Sequence, residues 1–339
     1  MRILILGGTA WLGGQIAHTA LDRGHDVTAL ARGESGSVPA GATLVRADRS
    51  RPDAYDRVRG QDWDAVVDVT WQPGFVRSAT TALAGRVGHW VYVSSCSVYA
   101  DHDTPGADES AALLPALDSD TADRETYGEA KVACEALLRE AVGERRCTLA
   151  RAGLIGGPGD HTDRTTYWPS RFAAPADPGH GDGSGGAVLV PDSPALSTQV
   201  IDVRDLATWL VHCAEGRVAG AYNVSGHVTS LPDHLATARR VAGHTGPLLR
   251  VGQDWLAEHR VEPWAGPRSL PLWLPLPEYA GFSARDIGAA LRAGLTPRPL
   301  AETLADGLAW AREQPDDRTR SAGLTDDEER ELLAAARHT

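Results

Sequence analysis

The pair Tyr127 and Lys131 is the part of this sequence whose residue types and spacing most directly suggest chemistry. The chain has 33 basic residues, and Lys131 is the only lysine among them. It follows Tyr127 by four residues, so both side chains would share one face of a helix. A lysine ammonium is a compact donor that arginine does not reproduce. Beside a phenol it favours the phenolate, so we expect a lowered Tyr127 pKa that suits general acid–base catalysis.

The composition of the chain indicates which classes of protein it could belong to. The chain has 339 residues, a net charge of −12, 42% hydrophobic and 23% charged residues, as expected for a soluble globular protein. This acidity disfavours nucleic acid or an anionic membrane as a partner. The four cysteines show neither a CxxC pair nor metal-like spacing with histidine, so we expect reduced thiols and no metal site. The apolar run at the N-terminus is too short for a signal peptide, which favours a cytoplasmic location.

Alternating strand and helix patterns over the first 155 residues predict the fold. Continuous apolar runs are typical of strands covered on both faces, and helical periodicity lies between most of them. We expect strands at residues 2–6, 26–30, 43–46, 64–69, 90–94 and 148–151. We expect helices at residues 15–23, 54–58, 76–84, 127–141, 231–242, 284–293 and 300–312. Strands that alternate with helices indicate βαβ units and a Rossmann-type, doubly wound parallel α/β sheet.

The pattern changes after residue 156 and predicts a second region. Residues 156–195 are rich in Gly, Pro and Asp, which indicates loops and a lid, with 179–186 the most glycine-rich part. We therefore assign residues 1–155, with 198–225 returning to it, to a dinucleotide-binding domain. Residues 156–197 and 226–339 then form a smaller, mostly helical substrate-binding region.

A glycine-rich turn follows the first predicted strand and precedes a helix, as a dinucleotide-binding turn requires. The candidate cofactor contacts there are Gly7, Thr9, Ala10, Trp11, Leu12 and Gly13. The second strand ends at Arg32, where an NAD site usually carries a carboxylate, so Arg32 is placed to meet a 2′-phosphate. This favours NADP(H), although the nearby Glu34 leaves NAD possible. Asp48, after the third strand, is a candidate acceptor for the adenine amino group.

Three segments together resemble the extended short-chain dehydrogenase/reductases, which include the NAD-dependent epimerase/dehydratases. They are the glycine-rich turn, in which Ala10 replaces the family's middle glycine, the serine-rich segment 94–99, and Tyr127 with Lys131. The resemblance runs from residue 1 to about 224 and continues more loosely to the C-terminus. It implies that Ser95 bonds the substrate oxygen, Tyr127 transfers its proton, and Lys131 binds the nicotinamide ribose. It also implies a homodimer through helices 76–84 and 127–141, although a monomer would need the same apolar faces.

Further candidate substrate contacts lie beside Ser95 and in the loop 161–171. Dehydratases of this family carry an Asp-Glu pair after the catalytic Ser/Thr. Cys96 and Ser97 stand there instead, so we expect no dehydration of a sugar nucleotide. The loop should overhang the crevice and offers aromatic and basic side chains: His161, Arg164, Tyr167, Trp168 and Arg171. The alternative for Arg164 is a structural ion pair with Asp160 or Asp163.

These features favour an NADP(H)-dependent oxidoreductase of the reductase-like branch, acting on a carbonyl or alcohol carbon of a small metabolite. The family's diphosphate-binding Asn and Arg are replaced by Leu154 and Thr198, so we expect a non-nucleotide substrate, such as a carbonyl compound of secondary metabolism. One alternative is an epimerase that keeps NAD(P)⁺ bound and forms a transient ketone. Another is a non-catalytic NAD(P)-binding or RNA-binding protein, since the family includes chloroplast RNA-binding members.

Overall fold

The computed structural model describes residues 1–177, 185–315 and 318–337, and a seven-stranded parallel sheet lies at its centre. The strands are β1 (Arg2–Leu6), β2 (Asp26–Ala31), β3 (Thr43–Arg46), β4 (Trp63–Asp68), β5 (Val87–Ser95), β6 (Cys147–Ala152), β7 (Leu154–Gly156), β8 (Val188–Pro191), β9 (Ser197–Thr198), β10 (Val200–Asp202), β11 (Gly220–Val224), β12 (Thr229–Ser230), β13 (Leu248–Val251), β14 (Glu262–Trp264), β15 (Gly266–Pro267), β16 (Ser269–Pro271) and β17 (Ala322–Gly323). The sheet order is β11-β6-β5-β4-β1-β2-β3. This is the predicted doubly wound α/β sheet. After β1 the chain adds β2 and β3 on one side and then β4, β5, β6 and β11 on the other, and such sheets bind ligands where this order switches, between β1 and β4.

Helices cover both faces of the sheet and also build the C-terminal region. They are α1 (Trp11–Asp22), α2 (Pro73–Leu83), α3 (Tyr127–Val142), α4 (Tyr167–Ala173), α5 (Val203–Gly216), α6 (Leu231–Ala242), α7 (Gln253–Glu258), α8 (Gly288–Arg292), α9 (Leu300–Arg312) and α10 (Asp326–Ala336). Within the described parts of the chain, no helix is both long and apolar enough to cross a membrane.

Strand β1 shows why its apolar run is continuous rather than alternating. Ile3 and Ile5 point to one face of the sheet and pack with side chains of α1 and α5. Leu4 and Leu6 point to the other face and pack with side chains of α2 and α3. All four are fully buried, so both faces of the strand must be apolar.

The C-terminal region has its own hydrophobic core, which differs in detail from the prediction. Its core side chains come from α4, α6, α7, α9 and α10, and also from the short parallel pair β8–β13. The stretch 156–195 therefore contains a helix and a strand where we expected loops. Most of the glycine-rich stretch 179–186 lies outside the described residues.

Two predicted helices are absent or shorter in the structure. Residues 54–58 form turns rather than a helix. Pro52 and Gly60 lie close to either end of this segment. The few residues between them form too few helical hydrogen bonds to offset the free-energy cost of nucleating a helix. The helix expected at 284–293 is reduced to α8, Gly288–Arg292, because the backbone before it is held by other contacts: Gln199 bonds the backbone of Arg285 in both directions.

Candidate active site

The glycine-rich turn between β1 and α1 has the shape of a phosphate-binding turn. Gly7 has φ = +100°, and a Cβ there would lie 2.6 Å from Cγ2 of Val69. A Cβ on Gly13 would overlap the carbonyl oxygen of Gly7, so glycine is required for the close approach of α1 to the turn. Helix α1 begins after Ala10, whose side chain provides no cap. Its first-turn N–H groups and the positive end of its dipole therefore suit an anionic diphosphate.

The adenosine end of the crevice presents two arginines at the tips of neighbouring strands. Arg32 is exposed and pairs with Glu34 at 3.2 Å. Arg46, which the sequence reasoning missed, donates from Nη1 to the carbonyl oxygen of Arg32 at 3.3 Å. Strand register could have indicated it, since Ala31 and Arg46 are partners in the β2–β3 pair.

Asp48 lies next to these arginines on the turn after β3. Its Oδ1 accepts hydrogen bonds from N and Oγ of Ser50, at 3.0 and 2.8 Å, and no such bond is recorded for Oδ2 within the described residues. The hydrogen bonds from Ser50 lower the pKa of Asp48, so its carboxylate stays charged and able to accept.

Ser95 and Tyr127 meet where β5 ends and α3 begins. Oγ of Ser95 accepts from the backbone N–H of Ser97 and donates to its Oγ, both at 3.1 Å, which fixes the serine at the strand end. Its hydroxyl lies beside the Tyr127 phenol and acts to lower the pKa of that group. The ring of Trp71 lies 5.6 Å from the Tyr127 ring, centre to centre. Trp71 was not predicted, although its position just after β4 places it at the crevice.

Lys131 is buried below Tyr127 and held by backbone carbonyls. Its Nζ donates to the carbonyl oxygens of Thr70 at 2.8 Å and Val93 at 2.5 Å. It also lies 4.8 Å from the centre of the Tyr92 ring. The side chain is only 3% exposed, and burial lowers its pKa from 10.5 to about 8. Lysine geometry, rather than charge alone, suits this narrow site.

The pKa of Tyr127 shifts in the opposite direction to our expectation. Burial raises it, and the nearby Ser95 hydroxyl and Arg164 guanidinium oppose this only in part. Nζ of Lys131 is 5.9 Å from the centre of the Tyr127 ring, and its bonds go to backbone carbonyls. The protein by itself therefore keeps Tyr127 protonated, because the cost of desolvating a phenolate exceeds the help from its neighbours.

Buried ion pairs support both sides of this site. Glu135 on α3 accepts from Nε and Nη2 of Arg151 on β6, at 3.0 and 2.9 Å, and from Oγ of Ser94 on β5 at 2.6 Å. Ser94 therefore faces the interior and not the crevice. Arg49 and Asp68 form a second buried pair through two bonds of 2.8 Å. The first pair joins β5, α3 and β6, and so fixes where Ser95 and Tyr127 meet.

Cys96 and Ser97 differ in where they point. Sγ of Cys96 donates to the carbonyl oxygen of Arg151 at 3.2 Å, inside the protein. Burial raises the pKa of this thiol to about 12, so it is an inert packed group and the prediction of a substrate contact is wrong for it. Ser97 stays with Ser95 at the crevice.

Three of the candidate substrate residues in the loop 161–171 belong to the core of the C-terminal region. Tyr167 and Trp168 are 1% and 0% exposed, and Nε1 of Trp168 donates to the carbonyl oxygen of Pro271 at 2.7 Å. Arg171 is fully buried and pairs with Asp326 and Glu329, at 2.7 Å each. The prediction that these three residues contact the substrate is wrong, because their side chains pack in the core or form ion pairs with α10.

The other two loop residues remain at the crevice. The exposed His161 ring lies 5.6 Å from the ring of Trp11, whose Nε1 donates to the carbonyl oxygen of Pro158 at 2.7 Å. This segment therefore lies against the glycine-rich turn. The Arg164 guanidinium lies on the face of Trp264, 5.3 Å from the ring centre. Nothing in the sequence around Trp264 marked it as a site residue.

Comparisons with known proteins agree with this geometry. The profile of the NAD dependent epimerase/dehydratase family matches residues 3–225. The chain belongs to this family. This membership supports an NAD(P)-dependent enzyme of the short-chain dehydrogenase/reductase type.

Two curated proteins are similar in sequence. The 2′-dehydrokanamycin reductase of Streptomyces kanamyceticus is 30% identical over 159 residues, which are 46% of this chain and 43% of that protein. The chloroplast stem-loop binding protein of 41 kDa b of Arabidopsis thaliana is 26% identical over 260 residues, 71% of this chain and 63% of that protein. The chain thus spans about half to two thirds of the length of these relatives.

Solved structures of epimerases in the family share the fold. The UDP-N-acetylglucosamine 4-epimerase of Bacillus cereus superposes with a TM-score of 0.66 at 16% identity, over 92% of this chain and 99% of that one. The UDP-glucose 4-epimerase of Thermotoga maritima gives a TM-score of 0.65 at 14% identity, over the same shares. At these identities the likeness establishes the fold and not the reaction.

Proposed function

We propose that the protein is an NADP(H)-dependent oxidoreductase that reduces a carbonyl carbon of a small, non-nucleotide metabolite. The observation that carries the proposal is the half-buried Tyr127 side chain, whose phenol lies beside the Ser95 hydroxyl and whose ring centre lies 5.9 Å from Nζ of Lys131. Ser95 would hold the substrate oxygen, and Tyr127 would donate its proton to that oxygen as negative charge develops there. Bound NADPH would supply the hydride.

The protonation of Tyr127 supports reduction. Because burial raises its pKa, the phenol carries its proton at neutral pH, as a general acid must. Trp71 covers the Tyr127 ring and would keep water from the reacting carbon. The similarity to a reductase over 46% of the chain agrees with this direction.

The cofactor would lie across the crevice from the glycine-rich turn to Lys131. Gly7, Gly13 and the first turn of α1 suit its diphosphate, and one N–H of Lys131 remains for the nicotinamide ribose. Arg32 and Arg46, both exposed at the ribose-reading position, favour NADP(H) over NAD(H).

The two positions that bind diphosphate in sugar-nucleotide enzymes support a non-nucleotide substrate. Leu154 is apolar and 8% exposed in β7. Thr198 is 2% exposed, and its Oγ1 is bonded to Nδ1 of His234 at 3.0 Å and to the carbonyl oxygen of Thr229 at 3.2 Å. Neither side chain offers a charge or a free donor to a diphosphate.

A homodimer through α2 and α3 stays a prediction. Among the described residues, the exposed large hydrophobic side chains are Met1, Val228 and Leu291, and none lies on either helix. A dimer formed there would have to rest on small and polar contacts, and sedimentation measurements would decide between it and a monomer.

The proposed reaction is tested by following NADPH absorbance at 340 nm with a panel of aldehydes and ketones. We expect net oxidation of NADPH, and a loss of turnover of roughly 10²–10⁴ in Tyr127→Phe with unchanged NADPH affinity. Tyr222→Phe is the matched control, since within the described residues that hydroxyl donates to the backbone carbonyl oxygen of Ala219, away from the site. Near-normal turnover of Tyr127→Phe would refute the assignment. Cofactor that copurifies without net turnover would indicate an epimerase. The absence of both net turnover and copurified cofactor would indicate a binding protein.

A further inference from the structure

Arg164 is a partly buried cation that forms no ion pair in the described structure, although the charge of Asp160 acts on it from a greater distance. Its Nε donates to Oγ1 of Thr162 at 3.1 Å, and its guanidinium plane lies on Trp264. Within residues 1–177, 185–315 and 318–337, no carboxylate lies within ion-pairing distance and neither Nη atom has a recorded hydrogen bond. Burial lowers the pKa of this guanidinium, which measures the cost of leaving it unpaired.

The two acids that could have paired with Arg164 are already used. Asp160 accepts hydrogen bonds from backbone and hydroxyl groups of Thr162 and Thr165, at 2.6–3.0 Å. Asp163 accepts two bonds from Arg318, at 2.8 and 3.0 Å, and one from the backbone N–H of Ser321 at 2.7 Å. The structural alternative for Arg164, an ion pair that holds its own loop, is therefore not realised.

Arg164 is also directed toward the reacting end of the crevice. Its charge acts to lower the pKa of the Tyr127 phenol, so the guanidinium lies near that group, and 5.3 Å separates it from the centre of the Trp264 ring. Resting on the proposed function, we infer that Arg164 and Trp264 form a subsite for a carboxylate, or a similar oxyanion, carried by the carbonyl substrate. The Arg164 guanidinium offers two parallel N–H donors that match the two oxygens of a carboxylate, and stacking on the Trp264 indole fixes the plane of the guanidinium.

An oxyanion at Arg164 could also come from the diphosphate of the cofactor. The uncapped start of α1 at the glycine-rich turn already suits the diphosphate, whereas Arg164 lies near enough to Tyr127 for its charge to lower the pKa of that phenol. A net charge of −12 gives the protein no general attraction for anions, so an unpaired cation here indicates a specific ligand. We assign the anion to the substrate.

The test uses benzoate and benzamide, which share shape and an aromatic ring but differ in charge. Each is titrated calorimetrically into the full-length protein saturated with NADP⁺. We expect benzoate to bind about tenfold or more tightly than benzamide, as a charge-assisted bond predicts. Arg164→Gln should abolish this difference and leave NADP⁺ affinity within about twofold of the parent. Arg164→Lys keeps the charge but not the fork, and should retain only part of the preference.

Arg312→Gln, an exposed position in α9, is the matched control and should change neither affinity. Equal or undetectable binding of the two probes to the parent would overturn the inference, as would a preference for benzoate that survives in Arg164→Gln. A loss of about tenfold or more in NADP⁺ affinity in that variant would assign the anion to the cofactor instead. Because these titrations need no turnover, failure of the proposed reaction and failure of this subsite are separate results.

Discussion

The buried ammonium of Lys131 provides the sharpest quantitative prediction. Its Nζ is bonded to two backbone carbonyls and, among the described residues, forms no ion pair, although the charges of Asp68 and Glu135 act on it. Lys131→Met replaces it with an apolar chain of similar length. The substitution removes a buried charge and leaves the carbonyl oxygens of Thr70 and Val93 without this donor. Thr70 keeps one bond, from the Tyr92 hydroxyl at 3.0 Å.

The magnitude follows from the pKa of Lys131, which burial lowers from 10.5 to about 8. The folded protein binds this proton less tightly than the unfolded chain does. Below about pH 8 the charged group therefore costs the fold about 3 kcal/mol, and the cost is relieved as pH rises from about 8 to 10.5. At pH 7, Lys131→Met gains that amount and loses about 1–3 kcal/mol at the two carbonyls. The two effects nearly cancel.

The expected result is a pH-dependent difference between parent and variant. Near pH 7, the two free energies of unfolding in urea should be similar. Near pH 10, the parent should have gained about 2 kcal/mol relative to Lys131→Met, because only the parent carries the titrating group. Every other titrating group is common to both proteins, so the difference isolates Lys131.

The pKa itself is measurable because the chain has one lysine. Protein labelled with ¹³C at lysine Cε should give a single NMR resonance that titrates near pH 8. A midpoint of 10 or above, or a stability difference that does not change with pH, would refute this account of the site. Turnover should fall in both Lys131→Met and Lys131→Arg, and a fully active Lys131→Arg would show that charge alone is sufficient there.

Three further predictions concern the cofactor, the supporting ion pair and the substrate. In fluorescence titrations, NADPH should bind roughly ten- to a hundredfold more tightly than NADH. Arg32→Ala or Arg46→Ala should reduce this difference in affinity. Equal affinities of the parent protein for the two cofactors would contradict the prediction. Glu135→Gln should lower the free energy of unfolding in urea by about 3–5 kcal/mol, because it leaves Arg151 buried and unpaired. Glu140→Gln, at an exposed position, should have little effect. Similar losses of stability in both variants would argue against a role for the Glu135–Arg151 pair. UDP-, dTDP- and GDP-sugars should show no micromolar binding by calorimetry and no 4-keto-6-deoxy product, and either observation would reverse our view of the substrate.

The central sheet and the chemistry at its edge were accessible from sequence because both depend on local patterns. The apolar run of β1, the glycine-rich turn, and the pair Tyr127 and Lys131 each occupy only a few consecutive residues, and local backbone geometry fixes what each can do. The segments predicted as 2–6 and 43–46 match β1 and β3 in full. The helix predicted at residues 54–58 is absent because the segment between Pro52 and Gly60 is too short for a stable helix.

Only the tertiary structure decided which side chains of the loop 161–171 face the crevice. Arg171 and Arg164 are the same residue type seven positions apart, yet one is bonded to Asp326, 155 residues away, and the other has no acidic partner among the described residues. The pKa of Tyr127 was likewise decided by burial, which outweighs the Ser95 hydroxyl and the Arg164 guanidinium. Burial and long-range pairing depend on what the rest of the chain brings to a residue, and a single sequence carries no local signal of either.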